Sequence, residues 1–186
     1  MRAYNKISRI WTNTIDGTEL VPTEDWLVDP VFANEVYAME IGQKYWTFSG
    51  NTINTPTPEE YAALKVAEDK LTIWKEIQTI RDTRKSNGVQ VGANWFHSDD
   101  TSRIQYIGLL MYGAGMPTGI MWKTMTGTFV EMTPTLAQQI FGSIAAKDTA
   151  IFTVAETHRA LLNASNSPST YNYLTGAPAW PLMFGE

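Results

Sequence analysis

Thr57-Pro58 and Thr133-Pro134 each open a long run of helical periodicity, and these two starts constrain the fold more than any other feature of the chain. A helix start leaves four N–H groups unpaired. Threonine before the first turn accepts one of them, and proline fits the first helical position because its missing N–H had no partner to lose. After Pro58, Glu59 and Glu60 suit the positive end of the helix dipole. Tyr61, Leu64, Ala67 or Glu68, Leu71, Trp74, Ile77 and Ile80 or Arg81 then fall at three- and four-residue steps, which predicts helix to about Lys85. Arg81, Arg84 and Lys85 suit its negative end, and Asn87-Gly88 supplies a left-handed stop. At ~1.5 Å per residue the helix is on the order of 40 Å long. Its stripe is narrow and its flanks are charged, so it is either a contact between subunits or an amphipathic helix lying on its own domain. After Pro134, Leu136, Ile140, Phe141, Ile144, Ile151, Phe152, Ala155 and Leu162 make the broad apolar face of a core helix reaching about Asn163. Ala145 to Ala150 is weak enough to bend or break it.

Between these helices lies Gln90-Val91-Gly92-Ala93-Asn94-Trp95-Phe96-His97-Ser98-Asp99-Asp100. Val89 to Phe96 alternates as a strand or one arm of a β-ribbon, and Asp99 or Asp100 caps a further helix with Ile104, Ile107, Leu110 and Met111 on one face. Gly113 to Pro117 ends that helix. Ile120–Met125 and Thr128–Met132, joined by Thr126-Gly127, give the strongest hairpin signal in the chain. Residues 1 to about 56 read as β and loop. Ile7, Ile10 and Trp11 lead into an Asp16-Gly17 turn, Thr18 to Val21 returns, Phe32 to Ile41 is a weaker strand, and Lys44 to Phe48 a better one. The expected fold is α+β: a small N-terminal β-module (1–56), a long linking helix (57–88), a mainly helical body with a β-hairpin (89–164), and an aromatic tail (165–186).

With 44% hydrophobic residues and 18% charged ones, the 186-residue chain has enough apolar material for a packed core. A net charge of −5 and a pI of about 5.1 argue against nucleic acid or an anionic membrane as partner, and Arg81 to Lys85 is the densest basic run. No cysteine is present, which excludes disulfides and thiolate metal sites. The start of the sequence has no apolar stretch of signal-peptide type, and nothing approaches ~18 consecutive apolar residues.

His97, Ser98, Asp99 and Asp100 invite a metal or acid–base reading, but capping explains Ser98, Asp99 and Asp100, and the only other histidine, His158, sits inside a helical pattern. Gly113-Ala114-Gly115 follows a helix and precedes a proline, the wrong context for a phosphate loop. Glu59 and Glu60 are dipole partners before they are paired catalytic carboxylates. Trp95, Trp122 and Trp180 are candidates for a sugar site, against the commoner use of such rings in cores and contacts. No motif names a reaction, and the expectation is no enzyme, no cofactor and no metal. The candidate interface residues are Leu64, Leu71, Trp74 and Ile77 on the long helix, with Tyr171, Tyr173, Trp180 and Phe184 in the tail. That tail, interrupted by prolines, either wraps its own domain or docks on a neighbour.

Several blocks carry a family resemblance: Arg81-Asp82-Thr83-Arg84, Trp95-Phe96-His97-Ser98-Asp99, Ser102-Arg103-Ile104-Gln105-Tyr106, Trp122-Lys123-Thr124-Met125, Gly127-Thr128-Phe129-Val130, Leu136-Ala137, Ala155-Glu156 and His158-Arg159. From about Glu76 to Asn163 they resemble an uncharacterised domain family found mainly at the C-terminal end of bacteriophage and prophage tail proteins. The resemblance implies a phage setting and no residue-level role. It leads to the expectation of a structural tail component, of the fibre or baseplate region, located in the virion and made in the host cytoplasm. Its partners would be other tail proteins and copies of itself, a trimer being favoured. The alternatives are a tail-fibre assembly chaperone absent from the finished particle and a host-surface glycan-binding module.

Overall fold

The computed structural model describes residues 2–13, 25–33 and 41–186, and the chain divides into two compact units, Met1–Ala67 and Glu68–Glu186. Its α+β class follows the expectation.

In the first unit, strand β1 (Arg2–Asn5) lies between β2 (Trp11–Asn13) and β3 (Trp26–Val28), antiparallel to both, with Tyr4 opposite Trp11 on one side and Leu27 on the other. A second sheet has the order β4 (Val31–Phe32), β6 (Thr52–Asn54), β5 (Thr47–Ser49); β4 runs parallel to β6 and β5 antiparallel. Strands this short are held by what they bury. Tyr4, Leu27, Ile41, Trp46 and Ile53 form the core, and the Tyr4 ring stands 5.0 Å from Trp11, 5.5 Å from Trp46 and 5.9 Å from Phe48. The strand expected over Lys44 to Phe48 begins only at Thr47. Gln43–Tyr45 is a 3-10 turn, with Tyr45 N–H on the Gly42 carbonyl and Trp46 N–H on that of Gln43, and it swings the Trp46 ring inward. The Asp16-Gly17 turn, the Thr18–Val21 strand and most of the Phe32–Ile41 strand lie outside the described residues.

Helix α1 (Pro58–Ser86) starts in the first unit and ends in the second. Thr57 does cap it, and Glu60 does more than face the dipole. Glu60 N–H donates to Thr57 Oγ1 at 3.2 Å while Thr57 N–H donates to Glu60 Oε2 at 2.8 Å, a reciprocal capping box.

In the second unit a ribbon of β7 (Val89–Val91) and β8 (Asn94–Phe96) turns over Gly92, so the stretch expected to be one arm holds both. Helix α2 (Asp100–Tyr112) follows, then the hairpin β9 (Met121–Lys123) and β10 (Phe129–Glu131), then helix α3 (Pro134–Ala164). α3 is unbroken through Ala145–Ala150, because Lys147 and Asp148 in that stretch are both tied down from outside, as described below. Two cores share the unit. Val89, Phe96, Tyr106, Met132, Ile140 and Ile144 make one, between the ribbon, α2, the hairpin and the first half of α3. Ile73 and Ile77 of α1 with Ile151, Ala155 and Leu162 of α3 make the other, closed by Trp180.

Two expected faces are rotated. On α1 the packed positions are Ile73, Trp74, Ile77 and Ile80, so Leu71 points outward and is 65% exposed. On α2 the packed positions are Ser102, Tyr106, Leu109 and Leu110, which puts Ile104, Ile107 and Met111 in solvent. Among the described residues no helix is long and apolar enough to cross a membrane.

Candidate functional site

The blocks Arg81–Arg84, Trp95–Asp99 and Ser102–Tyr106 converge where α1 ends. A helix C-terminus leaves carbonyls without partners, and here side chains supply them. Ser98 Oγ, buried, donates to the Lys85 carbonyl at 2.7 Å and accepts from Gly88 N–H at 2.9 Å. Arg103 reaches across with its whole fork: Nε to the Ser98 carbonyl at 2.6 Å, Nη2 to the Lys85 carbonyl at 3.0 Å, and a bidentate pair to Asp148 of α3 at 2.6 and 3.0 Å. The hydrogen bond to Asp148 holds the Arg103 guanidinium even above its usual range. Lys147 donates to the Gly88 carbonyl and lies 5.6 Å from the Trp95 ring, and burial lowers its pKa. Gly88 has φ +80°, a conformation that favours glycine, while a Cβ there would have chiefly the flexible end of the Met125 side chain to displace.

This latch also explains the rotation of α2. Asp99 caps the helix, accepting from Ser102 N–H at 3.0 Å and Ser102 Oγ at 2.7 Å, and those bonds depress its pKa. With Arg103 drawn toward Lys85 and Asp148, Tyr106 and Leu110, one and two turns further on, face the core. Tyr106 OH donates to the His97 carbonyl at 3.1 Å, and burial pushes its pKa up to about 12, so it remains a protonated donor. His97 itself is exposed. Among the described residues no three His, Asp or Glu side chains gather as a metal site. Ser98, expected as part of a cap, is a pin between α1 and the ribbon; the roles of Arg103, Asp148 and Lys147 had no signal in the local spacing, since their partners lie up to 59 residues away.

The expected contact residues part company. Ile77 is fully buried against α3 and Trp180 is nearly so, both inside the unit's own core, which takes them out of reach of another chain. Trp180 Nε1 donates to the Tyr173 carbonyl at 2.7 Å, and its ring stacks at 5.3 Å on His158, whose Nδ1 lies 2.7 Å from Tyr171 OH. Tyr173 OH donates to Glu76 of α1. Phe184 packs edge-on against Trp95 at 5.9 Å, its N–H donates to the Asn87 carbonyl at 3.1 Å, and Glu186 forms a two-pronged pair with Arg84 at 2.8 and 2.9 Å. Trp74 is half-buried on the same core under Arg159, 4.9 Å from its ring. Tyr171, Tyr173, Trp180 and Phe184 thus wrap their own unit. Leu64 is exposed in the first unit, beside a hollow of about 570 Å³ bordered by Tyr45, Thr47 and Pro56, and Leu71 stands alone on α1.

Of the three tryptophans weighed for sugar, Trp95 is covered by Phe184 and Lys147, and Trp180 is buried. Trp122 borders two adjoining hollows on the outer side of α2 and the hairpin. One, of about 630 Å³, is lined by Gln105, Gly108, Leu109, Met111 and Tyr112. The other, of about 320 Å³, is lined by His97, Ser102, Gln105, Met121, Lys123 and Phe129.

Residues 68–175 match a family described as a domain of unknown function, DUF4376. The match begins at Glu68, where the second compact unit begins, and spans the latch, α2, the hairpin and all of α3. No curated protein and no solved structure matches the chain. The match takes in more than half of the sequence, and the chain belongs to the DUF4376 family.

Proposed function

We propose that this chain is a structural component of a bacteriophage tail, a fibre- or baseplate-associated virion protein assembled in the host cytoplasm, and that it works by protein–protein contact without catalysis. The observation that carries this reading is the division of labour in the second unit. Its buried Ser98 and half-buried Arg103 and Asp148 are consumed in joining helices and its Asp99 in capping one, while Ile104, Ile107, Met111, Tyr112, Met121 and Phe129 lie uncovered on the outside of α2 and the hairpin. Patches of that kind mark contact surfaces. The expected setting comes from the resemblance of the blocks from Arg81 to Arg159 to a domain family found mainly at the C-terminal end of bacteriophage and prophage tail proteins. Mass spectrometry of purified particles tests it: a stoichiometric amount of this chain is expected. Presence during assembly and absence from the finished particle would instead favour the chaperone.

Trp122 favours a second reading, host-surface glycan binding, because its ring borders a hollow that also offers Gln105, Lys123 and His97 as polar partners. Binding on a glycan array that Trp122→Ala abolishes would support it, and no binding to intact host cells would remove it.

A further inference from the structure

The solvent face of α2 carries Ile104, Ile107, Gly108 and Met111, a spacing of three, four and seven residues from the first, which is the stripe by which one helix packs on another. Met111 is 83% exposed and Ile104 69%. Tyr112, Met121 and Phe129 extend the face along the two hollows that meet at Gln105 and Trp122. Taking ~150 Å² for each large side chain, the exposed apolar part comes to on the order of 500–600 Å². That is the upper end of what a lone soluble chain shows.

We infer that this face pairs with the same face of a second copy of the chain about a two-fold axis, α2 against α2, with Gly108 near the axis. The inference rests on the reading that the chain acts by assembly, and it supplies the partner and the surface. Charge permits a copy as the partner. A two-fold contact sets each group near the axis against its own kind, so any charge there would meet its own sign. From Ile104 to Tyr112 no residue is charged, in a chain whose net charge is −5. Area agrees: two such patches with their polar margins reach the ~1,200 Å² at which stable interfaces begin, and contacts between identical chains are the most apolar class. Shape agrees as well. A Cβ added at Gly108 would meet nothing within 4 Å, so the helix has an open notch into which Ile104 or Met111 of the second copy fits as a knob.

Light scattering on the full chain is expected to give twice its 20.8 kDa mass at high concentration, falling toward the single-chain mass on dilution. Ile104→Glu combined with Met111→Glu should hold it at one chain with an unchanged circular dichroism spectrum. Because the sequence has no cysteine, Gly108→Cys should oxidise to a disulfide-linked pair while Thr83→Cys on exposed α1 does not. A wild-type mass of one chain, a mass of three chains, an oligomer that survives the double substitution, or cross-linking at Thr83→Cys alone would each overturn the inference. So would a single chain that joins a larger complex only when another tail protein is added. These outcomes are independent of the particle measurement above: a dimer absent from virions sinks the virion-component reading alone, and a monomer present in virions sinks the pairing alone.

Discussion

The two ends of the second unit begin with similar material and finish differently. Along α1 and the second half of α3, the chain covers the facing sides of its own helices, leaving Leu71, Leu161, Leu174 and Leu182 singly in solvent. Trp180 drops over Ile73, Ile77, Ile151 and Leu162, Tyr171 and Tyr173 flank it, and the Arg84–Glu186 pair fastens the end of the tail. At α2 and the β9–β10 hairpin no described residue plays that part, and Ile104, Met111, Tyr112 and Phe129 face water. The contrast shows where the apolar surface is satisfied by the chain itself and where it is left for something else. It also shows why the aromatic tail, the most obvious docking segment by sequence, is the less available of the two surfaces.

The sharpest way to break the comparison is to open the closed end. Trp180→Ala removes a buried ring stacked on His158 and should cost about 3–5 kcal/mol of unfolding free energy, measured by urea denaturation. A loss below about 1 kcal/mol would mean the tail is not part of that core. Arg103→Met attacks what fixes α2 in its rotation. It strands a half-buried Asp148, takes the Arg103 donor from the Ser98 carbonyl and leaves the Lys85 carbonyl with Ser98 Oγ alone, and a loss of about 3 kcal/mol is expected. An unchanged denaturation midpoint would show that the latch does not set the helix orientation.

How much of this was legible follows from the range of each interaction. Capping at Thr57, Thr133 and one of Asp99 and Asp100, the Gly88 stop and the Thr126-Gly127 hairpin act within a few residues, and all were readable from residue type and spacing. The direction of a helix face was not. Ile104, Ile107, Leu110 and Met111 have sound amphipathic spacing, and Leu110 alone of the four turned partly inward, because Arg103 answers to Lys85 and Asp148, which are distant in sequence. A stripe of isoleucines says that something apolar must be met; it does not say whether that lies inside the unit. The same ambiguity affected α1, where Ile73 and Ile77 took the core and left Leu71 outside. The tail's aromatics were legible as anchors, and the choice between self and neighbour was decided by Trp180 packing into the core that α1 and α3 share.

Gly127→Val sharpens the open end. Gly127 sits at φ +88° in the turn, where Thr124 N–H pairs with the Thr128 carbonyl at 2.8 Å and Met125 N–H fastens the turn to the Trp95 carbonyl at 2.8 Å. No atom would block the new side chain, so the cost is backbone strain alone, about 1–2 kcal/mol, seen as a lowered Tm. A Tm equal to the parent would contradict the turn's need for positive φ.

Acid tests the closed end again, by a smaller margin. Burial lowers the His158 pKa below the ~6.5 of an unfolded chain. The unfolded state therefore takes up the proton first, so the stabilising contribution is complete above ~6.5 and is lost as pH falls through the folded value. Between pH 6.5 and 5 the carboxylates, with unfolded pKa values near ~4, contribute little to that slope. Stability should decline on acidification through this window, and the decline should flatten in His158→Gln. An equal slope in both would place the titrating group elsewhere.

The smallest expected effect is the most telling for the open end. Met111→Ser changes a side chain that touches water on nearly every side, so in dilute solution, with the chain alone, unfolding free energy should shift by no more than about 0.5 kcal/mol. At concentrations where copies meet, the same substitution should lower Tm, because association that favours the folded state is then weakened and its stabilisation is lost by mass action. The concentration dependence of Tm is the quantity to compare: steep in the parent and nearly flat in Met111→Ser. A large loss already present in dilute solution would mean that Met111 is packed within its own chain, and the two ends of the unit would no longer differ in the way that α2 suggests.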